Sequence, residues 1–364
     1  MVNPLDTEFE SNVEDFKVDE DILAAYVLGR YETGPLTVIG GVRVECTENE
    51  VSANLVELVE GGGTFNGVVL TDDTNFITPN EFDQEYTHVL PSATARYEFS
   101  DTLLARAGVF KSVVRPRISS LAPRFIVEEA DDGEREGEFG NPDLEPYESW
   151  NYDLSLEYYP SPSAVIQGGL FIKRIENFIV DVEFDSNDAP YNGVYNGIAF
   201  DEALVPLNGD EADVVGVELN YQQALTSLPE PFDGLLVGLN YTYTDSEGDI
   251  NGRSIPLPAS AENTYNAMLG YEKGPISLRL TAAYRDNYLD ELGDSAEEDR
   301  YVEDHLQWDL TANYTVTESV RVFAQFVNLT DEPYVAYQRG PGSNRLLQYE
   351  EYSWTGKFGV QVNF

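Results

Sequence analysis

The sequence contains very few of the residues that build metal centres and covalent cross-links. Its 364 residues include one cysteine, Cys46, and two histidines, His88 and His305. A single cysteine excludes a disulfide framework and a zinc site built on cysteines, and two histidines do not supply a histidine-rich metal site. Basic residues are also scarce, since 21 Lys and Arg stand against 66 Asp and Glu, a formal net charge of −45. So acidic a chain repels phosphate backbones, which excludes nucleic-acid binding.

Long apolar runs are lacking as well. No stretch approaches the roughly 20 residues of a membrane-spanning helix, and the mean hydropathy is −0.33. The residues from Met1 to Asp6 contain neither the basic nor the apolar region of a signal peptide. Yet 42% of the residues are hydrophobic and 12% are aromatic, which is too many for a disordered acidic tail. The length fits one large β domain or two smaller ones.

Apolar and polar residues alternate with a period of two, the pattern of a β-strand whose two faces have different surroundings. From Trp150 to Tyr158, every even-numbered residue is apolar or aromatic and every odd-numbered residue is polar. We predict about thirteen such strands on this pattern. They cover residues 22–32, 36–46, 86–99, 102–114, 149–159, 164–180, 213–225, 234–245, 262–272, 275–286, 304–315, 319–330 and 350–364.

The links between these segments are alternately short and long. Short links such as 33–35 and 273–274 alternate with long ones such as 47–85 and 115–148. A water-soluble β-sandwich tolerates long or short loops at either end. A transmembrane barrel instead has short turns on one side of the bilayer and long loops on the other. The alternation therefore favours an all-β fold, a transmembrane antiparallel β-barrel.

The two predicted faces of the strands agree with this architecture. Aromatic residues lie next to the short turns, where strands leave a bilayer: Tyr31, Tyr97, Phe99, Tyr158, Tyr159, Tyr271 and Tyr314. Charged residues such as Arg43, Arg106 and Glu157 occupy the opposite face. We expect the apolar face to contact outer-membrane lipid and lipopolysaccharide, the polar face to line a lumen, and the long acidic loops to lie outside the cell.

The final strand ends in Phe364, an aromatic residue of the kind that the barrel-assembly machinery recognises. This places the C-terminus on the periplasmic, short-turn side, so an odd number of strands starts on the opposite side of the membrane. Together with the missing signal peptide, this predicts that the sequence is the C-terminal part of a longer chain. We expect residues 1–20 to form an extracellular loop or a linker.

Four motifs occur in a characteristic order. Residues 110–116 contain an S-x-x-R-P stretch, and the closing strand occupies residues 354–364. Between them lie two further motifs, formed by Asn141, Pro142, Leu144 and Pro146, and by Asn328, Leu329 and Tyr334. The first of these resembles the NP-x-L-x-P-E-x-S segment that leads into a mid-barrel strand of TonB-dependent outer-membrane receptors. The second resembles the NL-x-D-x-x-Y motif of the same family, and all four agree with it in order and spacing.

The resemblance implies a barrel of about 22 strands, of which this chain is a portion, together with a plug domain and a TonB box. No residue of this chain matches the plug or the TonB box. We therefore expect residues 1–364 to be a barrel portion without a plug domain, to contact TonB only through a missing plug, and to be unable by itself to close into a stable barrel or perform energised uptake.

Two loops concentrate carboxylates, at 128–138 and 286–304. Carboxylate oxygens are the ligands that Ca²⁺ prefers. Neither loop follows the D-x-D-x-D-G spacing, however, and dense runs of one charge are typical of a solvated surface. We favour a salt-adapted or lipopolysaccharide-bridging surface over a calcium site, and expect no other cofactor.

The long loops are the natural place for ligand recognition. Neither histidine has the surroundings of a catalytic base, so we predict a receptor rather than an enzyme. The candidate ligand-binding residues are Tyr288, Tyr337, Arg339 and Arg345, because aromatic and cationic side chains on loops suit small-molecule binding. The alternative for each is an ordinary loop anchor, which we favour for any one residue. The net loop charge argues against anionic chelates, although local arginine clusters could still bind them.

The expected function is that of an outer-membrane receptor. It would bind a scarce nutrient, such as a metal chelate, a vitamin or an oligosaccharide, through its extracellular loops for TonB-dependent uptake. Two alternatives stay open: a passive porin or structural outer-membrane barrel, and a soluble acidic β-sandwich adhesin.

Overall fold

The computed structural model describes residues 4–13, 15–59, 61–62, 64–65, 68–122, 125–129, 135–250, 252–293, 295–340 and 343–363. For Glu10, Val13, 64–65 and 125–129 it describes only the backbone. Phe364 lies outside these residues. The elements are, in chain order, α1 (Pro4–Val13), β1 (Lys17–Thr33), β2 (Leu36–Val59), β3 (Thr64–Phe65), β4 (Val68–Val69), β5 (Thr74–Ser100), β6 (Leu103–Val114), α2 (Ile118–Leu121), β7 (Phe125–Glu129), β8 (Arg135–Phe139), β9 (Tyr147–Ser161), β10 (Ala164–Glu176), β11 (Ile179–Asp185), β12 (Val194–Tyr195), β13 (Ile198–Ala199), β14 (Glu202–Asn208), β15 (Glu211–Ala224), a 3-10 turn (Phe232–Gly234), β16 (Leu235–Ile250), β17 (Arg253–Ile255), β18 (Asn263–Lys273), β19 (Ile276–Arg285), β20 (Tyr288–Glu291), β21 (Arg300–Val302), β22 (His305–Thr317), β23 (Val320–Val327), β24 (Tyr334–Gly340), β25 (Ser343–Glu350) and β26 (Thr355–Val362).

Long strands pair antiparallel in chain order and form a meander: β1, β2, β5, β6, β9, β10, β15, β16, β18, β19, β22, β23 and β26. Each predicted segment overlaps one of these strands, and the all-β prediction is confirmed. Within the described residues β1 and β26 do not pair with each other, so the sheet is open rather than a closed barrel. The number of strands in a whole barrel stays a prediction. Neither of the two α-helices in the described ranges is long and apolar enough to cross a membrane.

The two faces of the meander have opposite chemistry. Between Trp150 and Tyr158 on β9 the even-numbered residues are apolar and exposed, as shown by Leu154 at 53%, whereas Asn151 and Glu157 on the other face are buried at 4% and 7%. A soluble β-sandwich buries its apolar faces against each other, so the alternative of a soluble sandwich adhesin is wrong. Exposed apolar residues that alternate with buried polar ones are typical of a sheet whose outer face contacts lipid.

Tyrosines mark the edges of the apolar outer face. On β9 Tyr152 and Tyr158 are six residues apart, and on β18 Tyr265 and Tyr271 have the same separation. Six residues of strand span about 20 Å, which is close to the roughly 25 Å of a transmembrane apolar band. Nearer the long loops, the rings of Tyr241 and Tyr265 stack with their centroids 4.8 Å apart. Rows of this kind are typical of the aromatic girdles at bilayer surfaces.

The β2–β5 hairpin continues beyond the apolar band. Its ladder runs without a break up to the pair Val59 and Thr74, and the 24 residues of β2 exceed the roughly 9–11 that a membrane strand needs. Helix α1 packs on this extension, because Phe9 is buried against Val56. Residues 1–20, predicted as a loop or linker, therefore contain a helix and the first residues of β1.

Short strands within the long links form a second layer, the loop arc, which consists of β7, β8, β14, β11, β20, β21, β24 and β25. β7 pairs parallel with β2, and β8, β14 and β11 follow it in a hydrogen-bonded row. An isolated bridge between Val182 and Leu292 joins this row to the four-stranded sheet β20-β21-β24-β25. The loop arc thus connects the tip of the β2–β5 hairpin to the link that precedes β26.

The NL-x-D-x-x-Y motif forms a tight turn after β23. Asn328 adopts a left-handed conformation with φ of 55° and is buried. Its side-chain amide donates to the Glu332 carbonyl at 3.0 Å, and its side-chain oxygen accepts from the Glu332 N–H at 2.8 Å. The N–H of Asn328 donates to Asp309 at 2.9 Å, and the N–H of Leu329 donates to the Trp308 carbonyl at 2.8 Å. These bonds close the turn and attach it to β22.

We expect Leu219→Arg to damage folding far more than Asn220→Arg. Leu219 lies opposite Tyr241 on the outer face and is 52% exposed, whereas Asn220 lies opposite Asn240 on the polar face. Placing arginine on the lipid side costs about 2–4 kcal/mol near the bilayer midplane. The measurement is the yield and the unfolding free energy of each variant in lipid vesicles. Equal losses in both variants would show that the assignment of the faces is wrong.

Substitution of Asn328 should separate backbone strain from hydrogen bonding. Asn328→Ala loses two side-chain hydrogen bonds and leaves a β-carbon in the left-handed region, which together cost about 2–3 kcal/mol. Asn328→Gly loses the same bonds without that strain, so the glycine variant should be the more stable of the two. Unfolding free energies in vesicles provide the comparison, and a glycine variant less stable than the alanine variant contradicts the role of the conformation.

Candidate functional site

The long loops share a packed apolar core. Its buried residues come from four of the long links and from the strand tops between them, and they include Phe139, Phe178, Phe184, Tyr195 and Leu289. The rings of Phe139 and Tyr195 stack with a centroid distance of 5.0 Å. Because these side chains are buried against one another, the loops hold a defined shape on which a binding site can be built.

The motif at 139–147 packs against this core and forms hydrogen bonds with neighbouring loops. Gly140 abuts the chain at 120–122, because a β-carbon there would come within 1.7 Å of the Ala122 carbonyl oxygen. The side chain of Asn141 accepts from the N–H of Asp143 at 3.0 Å and donates to the Pro206 carbonyl at 2.9 Å. Pro142, Leu144 and Pro146, which alternate along the segment, are all buried. The motif residues thus fix the segment that leads into β9.

Asn208 completes this attachment from the opposite loop. Its side-chain oxygen accepts from the Glu145 N–H at 2.8 Å, and its amide group donates to the carbonyls of Glu145 and Asn177 at 2.9 and 2.8 Å. The sequence motif did not reveal this residue, because nothing in its local sequence distinguishes it from other loop asparagines.

Arg115 of the S-x-x-R-P stretch ties the segment after β6 to the meander. Its guanidinium donates to Glu45 at 2.7 Å and to Thr47 at 3.0 Å, and it lies 3.5 Å from Glu20. Bonds to two neighbouring strands, β1 and β2, hold residues 114–117 in place at the edge of the loops.

The four predicted ligand-binding residues lie together on or beside the sheet β20-β21-β24-β25. The Arg339 guanidinium stacks 3.7 Å from the ring centroid of Tyr301, whose ring lies 6.0 Å from that of Tyr337. Tyr288 lies under the guanidinium of Arg285 at 4.5 Å. Arg345 pairs in register with Gln338. These stacking contacts agree with the loop-anchor alternative, and contact with a ligand stays a prediction for all four.

Two further arginines of this region are bound to carboxylates. One guanidinium nitrogen of Arg253, Nη2, donates to both carboxylate oxygens of the buried Asp299, each at 2.8 Å. Arg300 donates to Asp290 at 2.9 Å and lies 3.5 Å from the hydroxyl of Tyr334, the last residue of the NL-x-D-x-x-Y motif. Such partly buried ion pairs fix geometry, because breaking one leaves an uncompensated charge. Ion pairs made by arginines of the loops therefore stabilise the sheet β20-β21-β24-β25, which we call the loop sheet.

A cavity of about 610 Å³, the loop cavity, lies where five segments meet. Its walls come from 114–120, Tyr147, 175–181, 257–259 and 290–292. Apolar side chains such as Phe178 and Leu257 form most of the lining, with a few charged residues among them. A concave, mostly apolar wall with a few polar groups is the usual character of a small-molecule site.

Asp181 is the polar residue of this cavity that the sequence did not single out. Its side chain is exposed to solvent, yet the surrounding protein raises the pKa of its carboxyl, an effect that the charge of Arg117 opposes. The alternation Val180-Asp181-Val182 was a signal, because it continues a strand into a link where the neighbouring valines are buried.

No group of three or more His, Cys, Asp or Glu in the described part of the chain is arranged to hold a metal ion. Of the first acidic cluster, Asp131, Asp132 and Glu134 lie outside the described residues. The calcium hypothesis therefore stays a prediction.

Comparison with known proteins shows which family shares this architecture. Residues 2–329 match the family model described as TonB dependent receptor-like, beta-barrel. The chain is 24% identical over 260 residues to an iron-regulated outer membrane virulence protein of Vibrio cholerae, covering 69% of this chain and 37% of that protein. It is 25% identical over 198 residues to the vitamin B12 transporter BtuB of Photobacterium profundum, covering 54% and 28%.

Solved structures share the fold. The ferric-catecholate import receptor Fiu of E. coli superposes with a TM-score of 0.65 at 16% identity, covering 96% of this chain and 45% of that one. The ferric citrate transporter FecA gives 0.62 at 14% identity, covering 95% and 45%. The chain thus spans less than half the length of these relatives. Proteins of this kind are receptors and transporters rather than enzymes. The chain belongs to the TonB-dependent receptor β-barrel family and is located in the outer membrane.

Proposed function

We propose that this chain forms part of a receptor that captures a scarce nutrient in the loop cavity for TonB-dependent uptake. The nutrient would be a metal chelate, a vitamin or an oligosaccharide. The observation that carries the proposal is a cavity of about 610 Å³ beneath interlocked loops in a member of this family. That volume lies within the roughly 300–1,000 Å³ usual for small-ligand sites.

The partners follow from the same proposal. TonB would act through a plug domain, the barrel-assembly machinery would insert the sheet, and the acidic loops would bridge lipopolysaccharide through divalent cations. Tyr288, Tyr337, Arg339 and Arg345 would contribute to recognition at the loop sheet. Support for this role is their position on one small sheet whose strand β20 also supplies Asp290 and Glu291 to the cavity wall.

The test uses the protein as its gene encodes it, purified from outer membranes in detergent. Equilibrium dialysis against radiolabelled iron chelates, cobalamin and an oligosaccharide panel should show saturable binding of one class, with a Kd on the order of 1 µM or below. Cells should accumulate that ligand, and the accumulation should disappear in a strain without TonB. Steady ion conductance in planar bilayers without saturable binding of any ligand would instead support the porin alternative.

A matched pair of tryptophan substitutions locates the site. Val114 lines the loop cavity and is 57% exposed, whereas Val316 is 53% exposed next to a short turn at the other end of the sheet. Val114→Trp fills part of the cavity, so we expect it to weaken binding about tenfold, a loss near 1.4 kcal/mol. Val316→Trp should leave the Kd unchanged. Equal Kd values for both variants would place the ligand elsewhere.

A further inference from the structure

The loop cavity contains five formal charges. Two are cationic, Arg115 and Arg117, and three are anionic, Asp181, Asp290 and Glu291. They do not all remain available to a ligand, because some are already bound to other residues of the chain. The net charge that the cavity presents to a ligand depends on the charged side chains that have no ion pair.

Two of the five charges are neutralised by partners. Arg115 forms an ion pair with Glu45 on β2 at 2.7 Å, and Asp290 forms one with Arg300 at 2.9 Å. For the other three, the structure shows no ion pair within the described residues. Arg117, Asp181 and Glu291 together leave the cavity with an excess of one negative charge.

Asp181 is the anionic group placed to meet a ligand. It accepts no hydrogen bond within the described residues, and it stands between the buried Val180 and Val182 on β11. A carboxylate without an ion pair on the wall of a mostly apolar cavity gains most from a cation or a strong hydrogen-bond donor. The charge of Arg117 acts on this carboxylate but makes no ion pair with it in the described residues, and apolar neighbours such as Leu257 and Pro258 supply no donor.

Arg117 is the one cavity arginine without an ion pair in the described residues, and two other arginines of the loops are engaged outside the cavity lining. Arg253 is paired with Asp299, and Arg135 donates to Glu57 at 2.7 Å. The whole chain carries a formal charge of −45, so its loops present a negative field to an approaching ligand. Such a field slows the association of anions and speeds that of cations.

We propose that the loop cavity selects a neutral or cationic nutrient, and that it binds an ammonium or comparable donor group of that nutrient at Asp181 in preference to a polyanionic chelate. The inference rests on the proposed function and narrows its substrate class. Asp181 acts as a specificity-determining residue that touches the ligand.

The same contact predicts a pH dependence. An ammonium group binds the ionised carboxylate, so affinity should fall as the pH drops through the pKa of Asp181. Because desolvation by the surrounding cavity wall raises that pKa more than the charge of Arg117 lowers it, the fall should occur at a higher pH than for an ordinary aspartate. The other titratable or charged groups facing the cavity are Arg115, Arg117, Tyr147, Asp290 and Glu291.

The experiment compares three iron chelates on the purified full-length receptor. The probes are a linear trihydroxamate complex with a free ammonium, its N-acetylated neutral form, and a tris-catecholate complex with three negative charges. We expect the ammonium probe to bind most tightly and the tris-catecholate at least about tenfold more weakly, because only the ammonium group donates to the Asp181 carboxylate. Tighter binding of the tris-catecholate overturns the inference and leaves the receptor function intact.

Two variants complete the test. Asp181→Asn should remove the preference for the ammonium probe over its acetylated form and leave the affinity of the acetylated form unchanged. Glu211→Gln, at an exposed carboxylate at the start of β15 and outside the cavity lining, should alter neither affinity. A preserved ammonium preference in Asp181→Asn overturns the inference. Binding of none of the three probes also overturns it, and the vitamin and oligosaccharide measurements above then decide the proposed function separately.

Discussion

The structure depends on one constraint, which is that backbone polar groups inside a bilayer have no water with which to form hydrogen bonds. Each unpaired N–H or C=O there costs several kcal/mol, so a chain that crosses as strands must pair every strand with its neighbours. Within the described residues the meander meets this requirement for every strand except at the outer edges of β1 and β26, and it joins consecutive strands through short turns on one side, as between Thr33 and Leu36. The outer face must then be apolar along its whole width, and the polar residues are left on the inner face, where Arg106 and Glu157 pair at 2.7 Å.

That constraint also explains which parts of the fold could be predicted. A strand between lipid and a polar interior is forced into an alternation that is readable in the sequence, as in the run from Trp150 to Tyr158. Outside the bilayer the constraint is lifted, and the chain forms structure through contacts between distant residues. The pairing of Leu55 with Phe125 and the packing of Phe9 on Val56 join segments whose local sequences carry no periodic pattern. The loop arc and helix α1 were therefore not predicted.

The candidate site divides in the same way. Tyr288, Tyr337 and Arg339 could be selected from the sequence because aromatic and cationic residues are conspicuous in an acidic loop. Their partners could not, since the ring that Arg339 stacks on belongs to Tyr301, in another loop. Asp181 was inconspicuous for the opposite reason, because it is one carboxylate among 66 acidic residues. Only the fold distinguishes a carboxylate on a cavity wall from one on a solvated surface.

Because acidic residues outnumber basic ones, several of the basic residues in the loops form ion pairs that stabilise the loops. Like charges on packed loops repel one another, and Arg253 and Arg135 each pair with a carboxylate of a different loop, whereas Arg300 pairs with Asp290 of its own loop. Each such pair removes one cation and one carboxylate from the charges available to a ligand, so the charges that remain are predominantly carboxylates. Salt screens their field over about 8–10 Å but weakens the partly buried pairs much less. The interlocking of the loops and the sign of the charge that they present to a ligand therefore have a common origin in the scarcity of basic residues.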